Sequence, residues 1–287
     1  MKPLPGWLRA FVTCGALLLL ACLERRRPLR QAVEPKLRRE GRNLAVAATS
    51  GIVLTVLERP LIDPLCGLVE RRRWGLLKRR TLPRWLETLL AVVLLDYTLY
   101  AWHILTHKVP ALWRFHLVHH VDFDMDASTA LRFHFGEMAA SVPFRALQVA
   151  AIGVSPLSFS LWQTLLTASI LFHHSNLEIP LETERWLSLL IVTPRMHGIH
   201  HSIVHRETDS NWSSGLALWD MLHGSLLLNV PQREITIGVP AYRDPAELTF
   251  PKLVRMPFEP QREDWRLPNG AEPQRRPIDI PRRTLIG

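Results

Sequence analysis

The chemistry of this chain is concentrated in its histidines. His103 and His107 form H-x3-H, His116, His119 and His120 form H-x2-H-H, and His197, His200 and His201 repeat H-x2-H-H. Residues three or four apart share a helix face, so each pattern predicts a helix presenting imidazoles in one direction. Histidine is a mediocre helix former, and stability alone gives no reason to choose it. A single histidine on an apolar face is ordinarily a buried, hydrogen-bonded residue. Eight in three helical patterns, all where apolar runs end, read instead as metal ligands. Imidazole nitrogen suits iron, zinc, copper and nickel. One zinc is satisfied by about four ligands, so eight or more histidines imply two metals with four or five each. Haem needs only two axial partners inside spans, and a transport path carries its ionisable groups at mid-membrane. Neither fits histidines gathered at helix ends.

The elements that must position these residues are apolar helices. The chain has 287 residues, is 47% hydrophobic and carries a net charge of +9. Apolar blocks separated by basic loops reconcile those numbers and predict an all-α, integral membrane helical bundle of four to five spans with a cytosolic His-rich cap. Expected spans cover 7–23, 43–62 (ended by Pro60 and Pro64) and 85–105, followed by two more within 138–173, divided by Gly153-Val154-Ser155-Pro156. Residues 186–192 are too short to cross and belong at the interface. Asp96, Tyr100, His103 and His107 make one stripe on the third span. Residues 1–84 form an N-terminal unit of spans and basic loops, 85–230 the His-bearing domain, and 231–287 a Pro- and Arg-rich tail, loose and extended from Val239.

Loops 24–42 and 70–84 are both basic. The positive-inside rule favours a cytoplasmic side for each, yet full crossing by 43–62 puts them on opposite sides. A hairpin dipping into one leaflet would put both on the histidine side. The charge implies anionic lipid rather than nucleic acid, for which there is no module. Cys14, Cys22 and Cys66 are odd in number and contain no C-x-x-C, which argues against a disulfide framework or a thiolate metal site. The basic stretch after Cys22 argues against lipidation there.

The three histidine patterns, with Leu112-Trp113-Arg114-Phe115-His116, Thr129-Ala130-Leu131-Arg132-Phe133-His134, Phe172-His173-His174-Ser175-Asn176 and Trp219-Asp220, resemble the fatty acid hydroxylase/sterol desaturase superfamily over 96–224. The resemblance implies two non-haem irons at the cytoplasmic face, O2 as co-substrate, and hydroxylation or desaturation of a lipid C–H bond. It also implies electrons from an external ferredoxin- or cytochrome b5-type donor with its reductase. His134, His173 and His174 resemble the family's accessory histidines. Phe135-Gly136 departs from the family's turn after His134. His205 follows His201 by four and is a further candidate ligand, whereas His223 reads as structural.

Two ferrous ions among neutral imidazoles need nearby acids to offset their charge and to orient ring N–H groups. Candidates beside the ligands are Asp96, Asp124, Asp126, Glu207 and Asp209, together with Asn176; Asp122 reads as a solvated loop acid. Two other readings use the same histidines. One is a membrane zinc hydrolase with an acid such as Glu137 as base, without H-E-x-x-H. The other is a metal-binding membrane protein with no catalysis.

Overall fold

A computed structural model describes residues 1–275; the last part of the expected tail, 276–287, lies outside the described residues. The helices are α1 (Gly6–Arg26), α2 (Lys36–Val53), α3 (Arg59–Arg72), α4 (Arg84–Lys108), α5 (Pro110–His120), α6 (Phe135–Ile152) and α7 (Pro156–His174). Shorter ones follow: α8 (Leu181–Leu187), α9 (Pro194–His200), α10 (His205–Thr208), α11 (Leu218–His223) and α12 (Phe250–Arg255). Strand pairing is confined, among the described residues, to isolated bridges.

Five helical columns run between two ends of the bundle. α1 starts where the Leu4 N–H meets Ser160 Oγ at the beginning of α7 and ends where Glu24 accepts from the N–H of Asn176 just past α7. α2 and α3 form one column returning to the far end. The expected stop at Pro60 and Pro64 is corrected: a π turn over Leu54–Glu58 joins α2 to α3, and the helix continues to Arg72. The wider turn absorbs the hydrogen bonds that proline cannot make. The column therefore does not double back, and the basic loop after it lies opposite the histidines. There Glu70 and Glu87 hold the Lys78 ammonium. Gly75 (φ 95°) packs on Gly153 (φ 90°), where a Cβ on Gly75 would meet the Gly153 nitrogen at 2.3 Å. That contact lets the 73–83 loop close against the α6–α7 turn.

At about 1.5 Å per residue, α1, α4, α6 and α7 are roughly 27–38 Å long, the scale of a bilayer's hydrocarbon core. α1 and α4 are long and apolar enough to cross a membrane. Trp7, Phe11, Leu18, Ile52, Leu89, Leu147 and Leu165 are exposed on the outer faces, while Ile62, Leu95, Val149 and Trp162 fill the interior.

Two expectations about polar and terminal segments are corrected. Asp122 is not solvated: it is 1% exposed and meets Arg39, Arg42 and Arg132 at 2.8–3.1 Å. Burial alone would raise its pKa, but those three guanidiniums hold it below the usual carboxylate value. Nor is the tail loose over 239–256. Val239, Tyr242, Leu248, Leu253 and Met256 join Val46, Leu117 and Val121 in one buried cluster. Removing that much apolar surface from water ties the segment down despite its prolines.

Candidate metal centre

The histidine patterns sit in the last turns of α4 and on the short helices α5 and α9. α4 carries His103 and His107 in its last turns, before Pro110 restarts the chain as α5. α9 begins at Pro194 behind Thr193, whose side chain accepts from the Met196 N–H. α7 delivers His173 and His174 in its last turn.

The structure brings nine imidazoles together in two groups. His103, His107, His116, His120 and His200 form one; His119, His174, His197 and His201 form the other, and within each group one nitrogen from every ring lies within 4.8 Å of the rest. In the second group the Nε2 atoms of His174 and His119 are 3.0 Å apart, those of His197 and His174 3.0 Å, and those of His201 and His197 3.2 Å. Ligands about 2.1 Å from one ion and at right angles to each other would be about 3.0 Å apart, so the spacing fits a shared metal. In the first group the Nε2 atoms of His107, His116, His120 and His200 are buried with no protein partner among the described residues. Buried polar nitrogens without partners are costly, and a bound cation would satisfy them. The groups adjoin: the His120 and His201 rings stack at 4.2 Å.

The protein holds the opposite nitrogen of four rings, whereas Nδ1 of His119, His197 and His201 is buried with no partner among the described residues. His103 Nδ1 lies 2.7 Å from the Trp212 carbonyl, His200 Nδ1 2.8 Å from that of Ser210, and His174 Nδ1 2.8 Å from that of Ile170. His116 Nδ1 lies 2.9 Å from Glu137 Oε1. Such bonds put the proton on Nδ1 and leave Nε2 free to bind metal. Burial, with like charge from the neighbouring rings, holds His119, His120, His197 and His201 well below the usual histidine pKa, and burial brings His200 down to about 3. All five are neutral at pH 7, as ligands must be.

The remaining candidates fall elsewhere. His173 is buried against the His197 ring at 4.1 Å but belongs to neither group. His134 caps α6: its Nδ1 accepts from the Gly136 N–H at 2.9 Å, its Nε2 lies 3.1 Å from the Val254 carbonyl, and it faces Phe115 and Phe258. Both of its nitrogens are engaged away from the groups. His205 is 41% exposed on the side chain, beside Asp209 and stacked on Trp265.

None of the six acid and amide candidates contacts a clustered ring. Asp96 Oδ2 accepts from the Leu216 N–H at 3.0 Å and the Trp219 indole at 2.7 Å. Asp124 caps the Val33 and Glu34 N–H groups, Asp126 pairs with Arg39, and Asn176 bonds the Arg30 backbone. Glu207 binds Arg275, and Asp209 binds Lys108. The acid that does contact a clustered ring is Glu137, which sequence reasoning had offered only as a hydrolase base. Asp220 was also missed: its carboxylate takes the Trp212 and Ser213 N–H groups at 2.8 and 3.0 Å. Asp220 and Asp96 together pin the loop whose Trp212 carbonyl orients His103. Trp219-Asp220 stood out in the sequence without any assigned role.

Comparisons with known proteins place a family likeness over the histidine-bearing segment. Residues 88–225 match the fatty acid hydroxylase family. The chain is 33% identical to an ornithine lipid hydroxylase of Rhizobium tropici over 144 residues, 50% of this chain and 42% of that protein. It is 30% identical to mouse (Mus musculus) cholesterol 25-hydroxylase over 142 residues, 49% of this chain and 46% of that protein. It is 27% identical to human (Homo sapiens) alkylglycerol monooxygenase over 141 residues, 49% of this chain and 30% of that protein. The chain thus spans half or less of the length of these relatives. No solved structure matches it. The residues that match the fatty acid hydroxylase family, 88–225, carry every histidine of both groups.

Proposed function

We propose that the protein is a membrane-bound di-iron oxygenase that hydroxylates a C–H bond of a lipid. The observation that carries this reading is the pair of buried all-imidazole groups, five and four, within the family-matched segment. His103, His107, His116, His120 and His200 would hold one iron, and His119, His174, His197 and His201 the other. Two irons supply O2 activation and removal of hydrogen from an unactivated carbon when reduced by an external donor of the ferredoxin or cytochrome b5 class. The chain supplies the rest. Carbonyls of Ser210, Trp212 and Ile170 fix the ring tautomers, the Glu137 carboxylate offsets part of the metal charge through His116, and burial keeps bulk water out. The relatives named are hydroxylases and a monooxygenase, which favours hydroxylation over desaturation.

The membrane reading follows from the five columns and their exposed apolar faces. Lys2 precedes α1, whereas Arg25 and Arg26 close its last turn and Arg27 and Arg30 follow it. The positive-inside rule, dominated by the first helix, places the histidine end in the cytosol, within reach of a soluble electron donor. The basic loop at the opposite end does not obey the rule.

A zinc hydrolase is less well supported. Its base must face the open side of the metal, and Glu137 sits behind His116, on the ring nitrogen turned away from the cluster. The deciding experiment is elemental analysis of detergent-purified protein. Two irons per chain, with an O2-dependent lipid alcohol as product, support the oxygenase. One or two zincs, and no iron taken up on anaerobic ferrous loading, sink it.

A further inference from the structure

We propose that Trp113 and Trp265 form a one-electron escape route from the five-histidine group to the protein surface. The inference rests on the oxygenase reading. A centre able to attack unactivated carbon is surrounded by oxidisable rings, and an oxidising equivalent left there without substrate will destroy its own ligands.

The rings are continuous. Trp113 lies 4.9 Å from the His107 ring and 5.6 Å from the His120 ring, centroid to centroid. It stacks on Trp265 at 5.7 Å and 28°. Trp265 stacks in turn on His205 at 4.3 Å and 6°, and the His205 side chain is 41% exposed. Indole is the most easily oxidised of the uncharged aromatic side chains, so successive indoles carry an electron inward in short steps. The proton also has a destination. Trp113 Nε1 donates to Asp264 Oδ2 at 2.7 Å, and Asp264 Oδ1 is buried with no partner among the described residues. Burial raises the Asp264 pKa, which makes it the better proton acceptor. A wall whose only role was to shape the pocket would need neither the second indole nor the carboxylate.

The step balances. Trp113 gives one electron to the oxidising equivalent at the histidine group, and its N–H proton moves to Asp264. Trp265 returns one electron to Trp113, and the proton moves back. The external one-electron donor of the oxygenase then refills Trp265. One donor electron is consumed per oxidising equivalent removed, and no protein atom is lost.

The test uses full-length, iron-loaded protein in detergent, reduced and then exposed to O2 without lipid. Rapid-freeze electron paramagnetic resonance should detect an indole radical, and peptide mass spectrometry should find oxygen adducts on Trp265. Trp113→Phe should abolish the Trp265 adducts, even though the Trp212 indole, 4.6 Å from the His107 ring, remains, move adducts onto His107 and His120, and shorten the enzyme's working life several-fold with iron content unchanged. Trp265→Phe, at a half-buried position that spares the core, should leave the radical on Trp113. Adducts on the ligand histidines of the unaltered chain, with both tryptophans intact, overturn the proposal while leaving the oxygenase standing. Iron-loaded protein that consumes no O2 overturns both.

Discussion

Glu137 gives the sharpest test of how the chain supports a metal. It is 4% exposed, and its Oε1 lies 2.9 Å from His116 Nδ1, on the face of the ring turned away from the cluster. Glu137→Gln keeps a carbonyl oxygen able to accept from Nδ1–H and removes only the charge. Glu137→Ala removes both. Carboxylates behind a ligating histidine typically account for about 10–100-fold in metal affinity or activity, or about 1.4–2.7 kcal/mol. If charge compensation dominates, Glu137→Gln should approach that loss. If orientation dominates, Glu137→Gln should stay near the unaltered chain while Glu137→Ala falls and also loses about 1–3 kcal/mol of stability from the unpaired N–H. The assay is iron retained per chain against graded chelator, with a thermal melt run in parallel. Unaltered iron retention in both variants would refute the assignment of Glu137 as the support of His116.

Four further outcomes follow from the same geometry. Asp96→Ala should lower the melting temperature, since the Leu216 N–H and the Trp219 indole each lose their acceptor at about 1–3 kcal/mol; iron content at saturating metal should hold, and its loss would restore a direct role near the ligands. His134→Gln should leave iron per chain unchanged and cost about 1 kcal/mol as a lost helix cap, which elemental analysis with a melt would check. Asp122→Asn should destabilise by about 3–5 kcal/mol, because Arg132 would remain buried without a carboxylate while Arg39 keeps Asp126 and Arg42 keeps Glu34; denaturation in detergent measures it, and an unchanged midpoint would contradict the pairing. Acid should strip the metal and loosen the fold together. His119, His120, His197, His200 and His201 have folded pKa values below the unfolded value of about 6.5. Below that pH the unfolded chain takes up protons that the folded chain refuses, so stability falls as pH falls, by about 1.4 kcal/mol per pH unit for each such group; full iron retention at pH 5 would refute it.

What sequence could show depended on the range of the interactions. The imidazole patterns, the helical columns and the turn at Gly153 are local, and periodicity carries them. Asp122 read as a solvated acid because its partners, Arg39 and Arg42, lie about eighty residues away. Proline content made the tail look loose, whereas burial of Val239, Leu248 and Leu253 against α5 is decided by tertiary packing. Glu137 carried a weak signal, an acid at the histidine-bearing end of an apolar helix. Asp96 illustrates the opposite error: it lies on the same α4 stripe as His103, but two turns away, and it bonds the 211–220 loop instead of a ring.

The division of the histidines between the two groups follows from helix geometry already present in the sequence patterns. At about 100° per residue, positions i and i+4 of a helix differ by about 40° in direction, whereas i+3 and i+4 differ by about 100°. In H-x2-H-H the outer histidines should therefore share a metal, and the middle one should point elsewhere. The structure obeys this twice, in opposite senses: on α5, His116 and His120 join the five-membered group and His119 the other, and at α9, His197 and His201, the residue that caps the helix, join the four-membered group and His200 crosses to the first. Two short helices, each splitting its histidines between the groups, hold the two sites side by side. A single-metal site would gain nothing from that splitting, so the doubled H-x2-H-H motif is itself an argument for a paired centre.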